Sequence, residues 1–237
     1  MTMRSAVLAA MMTLSASVSP AQDATKSAPS NYRTQFENDY VRLVRVYYGP
    51  NERVPVHEHS ASNTAYIYLN ASGPVQFRHV KGASHVATRL PTVPGSFRVS
   101  RGGDETHEAI NTTAAPSDFM RVEFKTDPAG GSSMFREPRQ SYPAGENVAD
   151  VRFTNRQMRI TRLVVAPGKT LDVSIAAGAP ALVMALNDAP LTGFAGDAAV
   201  IVGQERWLDA GAQVRLVNRG TAPVGLLRID FLTGPRR

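Results

Sequence analysis

The chain of 237 residues contains no cysteine, so it has no disulfide, no cysteine nucleophile and no site for a lipid-modified cysteine. Lysine is scarce. The formal net charge of +6 comes mainly from arginines scattered along the sequence. No basic run interleaved with aromatics occurs, which argues against nucleic acid as a partner. No apolar run reaches the roughly 20 residues of a membrane-spanning helix, so the mature chain is expected to have no membrane span. A nucleophile elbow is missing, and so is a phosphate-cradling glycine loop followed by lysine. Long 3.6-residue periodicity is absent too.

The N-terminus reads as an export signal. Arg4 supplies a positive start, residues 6–14 form a short apolar core, and Ser19-Pro20-Ala21 offers small residues for cleavage after about Ala21. Residues 1–21 are therefore expected to be a signal peptide, with export to the periplasm. Residues 22–35, polar and rich in Ser, Ala and Pro, read as a flexible leader. An exported protein without disulfides must be held by its core.

From Phe36 onward the texture is that of short strands. Residues 41–48, 65–69, 75–80, 96–99 and 119–124 are rich in β-branched and aromatic side chains, and glycine or proline separates them. This predicts an all-β protein built as sandwiches or barrels. The pattern then repeats. Phe36, Asn38, Arg42, Arg45 and Pro50 line up with Phe153, Asn155, Arg159, Arg162 and Pro167, at an offset of about 117. Asn111, Pro116, Arg121, Phe124 and Thr126 line up with Asn218, Pro223, Arg228, Phe231 and Thr233, at an offset of about 107. The loss of about ten residues in one loop accounts for the change. One fold copied twice gives an N-terminal domain at 36–128, a linker at 129–150 rich in Gly, Ser and Pro, and a C-terminal domain at 151–235.

Three of the five histidines fall in one pattern. Residues two apart in a strand share a face, so His57 and His59 aim two imidazoles at one point. His107, from a distant strand, supplies a third. Together they suggest a metal pocket. Tyr66 and Tyr68 share a strand face just after this motif and are candidates to line the pocket. Glu105, two residues before His107, is a further candidate. Glu123 shares a face with Arg121, and Arg228 with Asp230 repeats that arrangement where no histidine exists, so a structural ion pair competes with a role as ligand. His79 and His85 read as surface histidines, Asn111 as a turn-fixing residue, and Trp207 as packing.

At these residues the chain resembles the cupins, and specifically a bicupin with a degenerate C-terminal half. The first cupin motif runs Gly, five residues, His-x-His, three or four residues, Glu, six residues, Gly. Asn51 stands at the first glycine, where the second copy has Gly168; Asn tolerates the left-handed turn that glycine would make. His57 and His59 are in place. The glutamate, due at Asn63 or Thr64, is absent, and Gly73 approximates the closing glycine. In the second motif Gly95 lies near the first position, Gly102-Gly103-Asp104 replaces a Pro-x-Gly turn, and His107 and Asn111 match in spacing. By sequence offset, Ser174, Ala176 and Val214 take the places of His57, His59 and His107.

The resemblance implies two tandem cupin-type antiparallel β-barrels of the jelly-roll-like double-stranded β-helix kind. It also implies a divalent metal (iron, manganese, zinc, copper or nickel) on the three histidines, a small-molecule ligand or substrate, and a homodimer. Three neutral imidazoles leave the full charge on such an ion and leave coordination positions open. The functions that follow are an oxygenase-like or isomerase-like enzyme acting on a small oxygenated molecule, a non-catalytic binding module, or a structural bicupin.

Overall fold

The structure, a computed structural model, describes residues 22–103, 105–126, 134–137, 145–196 and 198–236; the expected signal peptide lies outside them. The N-terminal copy holds β1 (Tyr32–Glu37), β2 (Val41–Tyr48), β3 (Arg53–His59), β4 (Thr64–Tyr68), β5 (Val75–His79), β6 (His85–Arg89), β7 (Phe97–Ser100), β8 (Glu105–Asn111) and β9 (Ser117–Phe124). A short β10 (Phe135–Arg136) follows. The C-terminal copy holds β11 (Val148–Thr154), β12 (Met158–Val165), β13 (Thr170–Ser174), β14 (Ala181–Ala185), β15 (Leu191–Thr192), β16 (Glu205–Leu208), β17 (Gln213–Asn218) and β18 (Val224–Phe231).

Each copy is a pair of antiparallel sheets. In the first, the order β1-β2-β9-β4-β7-β10 faces β3-β8-β5-β6; in the second, β11-β12-β18-β14-β16 faces β13-β17-β15. The repeat extends to detail. The bulge that shifts β1 against β2 between Thr34 and Phe36 recurs between Val151 and Phe153 against β12. Asn51, at φ 53°, and Gly168, at φ 68°, make the same left-handed turn, and Asn51 is the one non-glycine residue described with positive φ. The residues lost in the second copy come from the β5–β6 hairpin, whose counterpart shrinks to β15.

The core explains why several strands are apolar on both faces. In β4 all five residues are buried. Ala65 and Ile67 point into a core shared between the two copies, whereas Tyr66 and Tyr68 point inside the N-terminal barrel. In β14, Leu182 and Met184 enter the shared core, while Ala181, Val183 and Ala185 fill the C-terminal barrel. Burying whole Leu, Ile, Met and Phe side chains at about 1.5–3 kcal/mol each makes this shared layer a major source of stability. Trp207 packs at its edge as expected, with ring centroids 5.9, 5.5 and 5.3 Å from those of Phe36, Tyr40 and Phe231.

Two boundary expectations need correction. Residues 22–35 are not a loose leader. Asp23 caps helix α1 (Ala24–Ser27) through the Thr25 backbone N–H and forms an ion pair with Arg42 at 2.9 Å. Ala24, Ala28 and Tyr32 are buried in the N-terminal core, so apolar anchoring orders the segment. The linker is likewise partly structured: β10 extends the first sheet, and Val148–Thr154 already begins the second copy. Glu137 is buried beside Arg162 (2.5 Å) and Arg152 (3.2 Å), which ties the connection to the C-terminal sheet.

Candidate metal centre

Inside the N-terminal barrel a bulge decides which side chains face the centre. Along β3 the burial alternation breaks at Pro55 and Val56, which both face outward, so Val54, His57 and His59 all point in. Val54 pairs with Ala109 and His57 with His107, a register with one extra residue on β3. Proline, lacking an N–H, suits that position. The second copy has no such bulge. There Val173, not Ser174, lies opposite Val214, and Ser174 and Ala176 are exposed. The structural counterparts of the first two histidines are therefore the buried Val173 and Ile175, which corrects the assignment made from sequence offset.

His57, His59 and His107 are 0, 7 and 3% exposed. One ring nitrogen from each lies within 4.8 Å of the others. The Nδ1–H of His57 donates to the Pro55 carbonyl at 2.7 Å, which turns the Nε2 lone pair inward. That nitrogen accepts from Tyr32 Oη at 2.8 Å, and Tyr32 in turn accepts from Tyr48 Oη at 2.5 Å. Nε2 of His59 and both ring nitrogens of His107 are buried without any hydrogen bond. Buried polar atoms normally find partners. Three converging imidazoles, several of whose nitrogens have none, fit a divalent cation.

Electrostatics keep these rings neutral. Burial pulls all three below the ordinary histidine pKa, His107 to about 2 and His59 well down. The nearby charge of Arg121 and mutual repulsion among the rings add to this. Burial likewise pushes the Tyr48 hydroxyl up to about 12 and holds Tyr32 well above the usual tyrosine range. Neutral imidazole is the form that ligates metal.

A cavity of about 560 Å³ opens beside His107. Tyr66 and Tyr68 line it, as does Glu105, whose Oε2 lies 4.0 Å from His107 Nδ1. Glu123 does not line it. Its two oxygens are engaged by Arg42 Nε at 2.7 Å and Arg121 Nε at 3.2 Å, so its role is that of a structural ion pair rather than a pocket residue. Arg228 and Asp230 repeat the pair in the second copy, at 2.7 Å. His85 is exposed as expected, but His79 is not merely a surface residue: it lines the cavity, with its ring 5.2 Å from that of His107. The glutamate position stays unfilled. Asn63 bridges to Gln157 of the second copy and accepts from the Gly102 backbone, and the Thr64 hydroxyl donates to the Ser62 carbonyl. Asn111 holds its turn by donating to the Gly49 and Ala115 carbonyls, as Asn218 does to those of Val165 and Ala222.

Sequence reasoning missed Tyr32, because it precedes the first recognisable strand pattern. It also missed Phe77, Phe119, Arg89 and Arg98 on the cavity wall, which carry no motif and meet only through the folding of four strands.

No protein-family model and no curated protein matches this sequence. Among solved structures the chain is similar to AerE from Microcystis aeruginosa, with a TM-score of 0.58 and 11% identity over 85% of this chain and 97% of that one. It is similar to a cupin 2 conserved barrel domain protein from Leptotrichia buccalis, with a TM-score of 0.52 and 15% identity over 84% and 88%. It is also similar to salicylate 1,2-dioxygenase from Pseudoaminobacter salicylatoxidans, with a TM-score of 0.51 and 11% identity over 81% and 68%. The chain has the cupin fold, in a two-domain arrangement.

Proposed function

We propose that the N-terminal barrel is a metal-dependent centre in which His57, His59 and His107 hold one divalent ion and the adjoining cavity admits a small oxygenated molecule. The observation that carries this reading is the meeting of three buried, neutral imidazoles whose inward nitrogens largely lack partners. A divalent ion on three neutral ligands supplies Lewis acidity with open coordination positions. The protein's own part is to orient and to exclude water. Pro55 fixes the His57 tautomer, Tyr32 and Tyr48 place hydroxyls at the edge of the centre, and aromatic side chains wall the cavity. The reaction class is oxygenase-like or isomerase-like. A dioxygenase among the similar structures supports the former. The C-terminal barrel, filled by Val173, Ile175 and Val214, acts as a structural partner.

The same reading takes residues 1–21 as an export signal to the periplasm, supported by Arg4, the apolar stretch and the small residues before Gln22. It takes the working form as a homodimer, by resemblance to cupins.

Elemental analysis of the purified protein beside His57→Ala/His59→Ala tests the centre. One metal per chain in the wild type and none in the variant is the expected result. Absence of metal from both, after incubation with iron, manganese, zinc, copper and nickel, would overturn it and leave a non-catalytic binding or structural cupin.

A further inference from the structure

The cavity beside the histidines carries more positive charge than the described residues around it neutralise. Arg89 reaches it from β6, Arg98 from β7 and Arg121 from β9, and the exposed Arg136 of β10 stands at its edge. Among the described lining residues Glu105 is the one carboxylate. Arg121 is balanced by Glu123. Arg89 and Arg98 have no carboxylate partner among the described residues. Arg89 donates only through Nη2, to Ser72 Oγ at 2.8 Å and the Gly73 carbonyl at 3.4 Å; its Nε and Nη1 are buried and make no hydrogen bond. Arg98 gives Nε to Tyr68 Oη at 3.0 Å and, among the described residues, donates from neither terminal nitrogen.

Aromatic rings hold both guanidiniums in place. Arg89 lies 5.3 and 5.5 Å from the ring centroids of Tyr68 and Phe119, and Arg98 lies 3.8 Å from that of Tyr66. Such contacts orient a cation without cancelling its charge. A sheltered charge lacking a counter-ion is costly, and an arriving anion removes that cost. Much of the remaining wall is apolar, with Phe77, Leu90, Val99 and Met134 on it. The volume suits a small organic molecule rather than a bare ion. A bare phosphate could use these free N–H groups but would leave the apolar part of the wall without a partner, which a ring-bearing acid covers.

We propose that this cavity binds a small carboxylic acid with an apolar, ring-sized body, its carboxylate held by Arg98 and neutralising Arg89. As the identity of the substrate class this rests on the metal-centre reading. As a binding site it rests on the arginines and the aromatic wall alone.

Calorimetric titration of the full chain tests it, with benzoate and 3-phenylpropionate as probes and benzamide and inorganic phosphate as controls. Each is measured on metal-loaded and on chelator-treated protein. At least one acid is expected to bind saturably and at least tenfold more tightly than benzamide. Arg98→Gln is expected to weaken that acid at least tenfold while metal content stays at the wild-type level, and Arg98→Lys to recover part of the loss. Should Arg98→Gln fail to fold, Arg89→Met is expected to give the same loss. Failure of both acids to bind, equal binding of benzamide, displacement of the acid by equimolar phosphate, or unchanged affinity in folded Arg98→Gln would each overturn the proposal. Acid binding in a protein that takes up no metal would uphold the anion site and sink the metal reading. Metal uptake without acid binding would do the reverse.

Discussion

Mild acid should weaken the metal-free protein because of the three buried imidazoles. Burial, the first cause for both, lowers the His107 pKa to about 2 in the fold and holds His59 well below the ordinary value. In the unfolded chain a histidine titrates near pH 6.5. The folded values are lower, so the unfolded chain binds more protons once the pH drops below about 6.5. Stability is therefore flat above that point and is lost as the pH falls through it. For one imidazole that remains neutral throughout, the loss between pH 7.5 and 5.5 is about 1.4 kcal/mol. His107 alone thus accounts for about 1.4 kcal/mol, a noticeable share of the roughly 5–15 kcal/mol typical of a folded protein, and His59, held well below the ordinary value, adds to the loss in the same direction. His57, whose pKa is lowered less, adds a smaller part.

The assay is urea unfolding of chelator-treated protein at both pH values. Fluorescence of the single Trp207, packed against Phe36 and Phe231 between the copies, reports the transition. His107→Gln keeps a polar group and cannot take up the proton. Its stability should fall by about 1.4 kcal/mol less over the same interval. An identical fall in wild type and variant would refute the reasoning, since His107 would then be charged or solvated in the fold.

Two further outcomes follow from the same geometry. Asn51→Gly should leave stability almost unchanged, whereas Asn51→Val should cost about 1–2 kcal/mol, read as a lower Tm, because only the second puts a β-branched residue at φ 53°. Glu123→Gln strips the buried Arg121 of its counter-charge, while Arg42 keeps Asp23, and should cost about 3–5 kcal/mol in urea unfolding, with metal per folded chain at the wild-type level. Loss of metal from folded Glu123→Gln would make that carboxylate part of the centre.

Much of the fold was legible because its signals are local. Alternating and apolar runs in residues 41–48 and 119–124 became β2 and β9, and Asn51 and Gly168 marked one turn in two copies. The histidines were legible because two share a short motif and the third falls at the spacing of a known one. Where reading failed, the cause was non-local or a shift of one residue. Segment 22–35 looks polar, yet Ala24, Ala28 and Tyr32 bury against the barrel. Offset arithmetic chose Ser174 and Ala176, because the bulge at Pro55–Val56 adds a residue that no composition reveals.

The sequence by itself determined the strand content, the internal duplication and the loss of histidines from the second copy, since each is written in residue type and spacing. Only the tertiary structure decided that Tyr32 meets His57, that Glu123 is taken up by two arginines, and that Arg89 and Arg98 share an aromatic cavity with no counter-ion among the described residues. The physical reason is that partner choice for a hydroxyl, a carboxylate or a guanidinium depends on which strands pair across the barrel and in what register. Those pairings join residues far apart in the chain, and no local pattern encodes them.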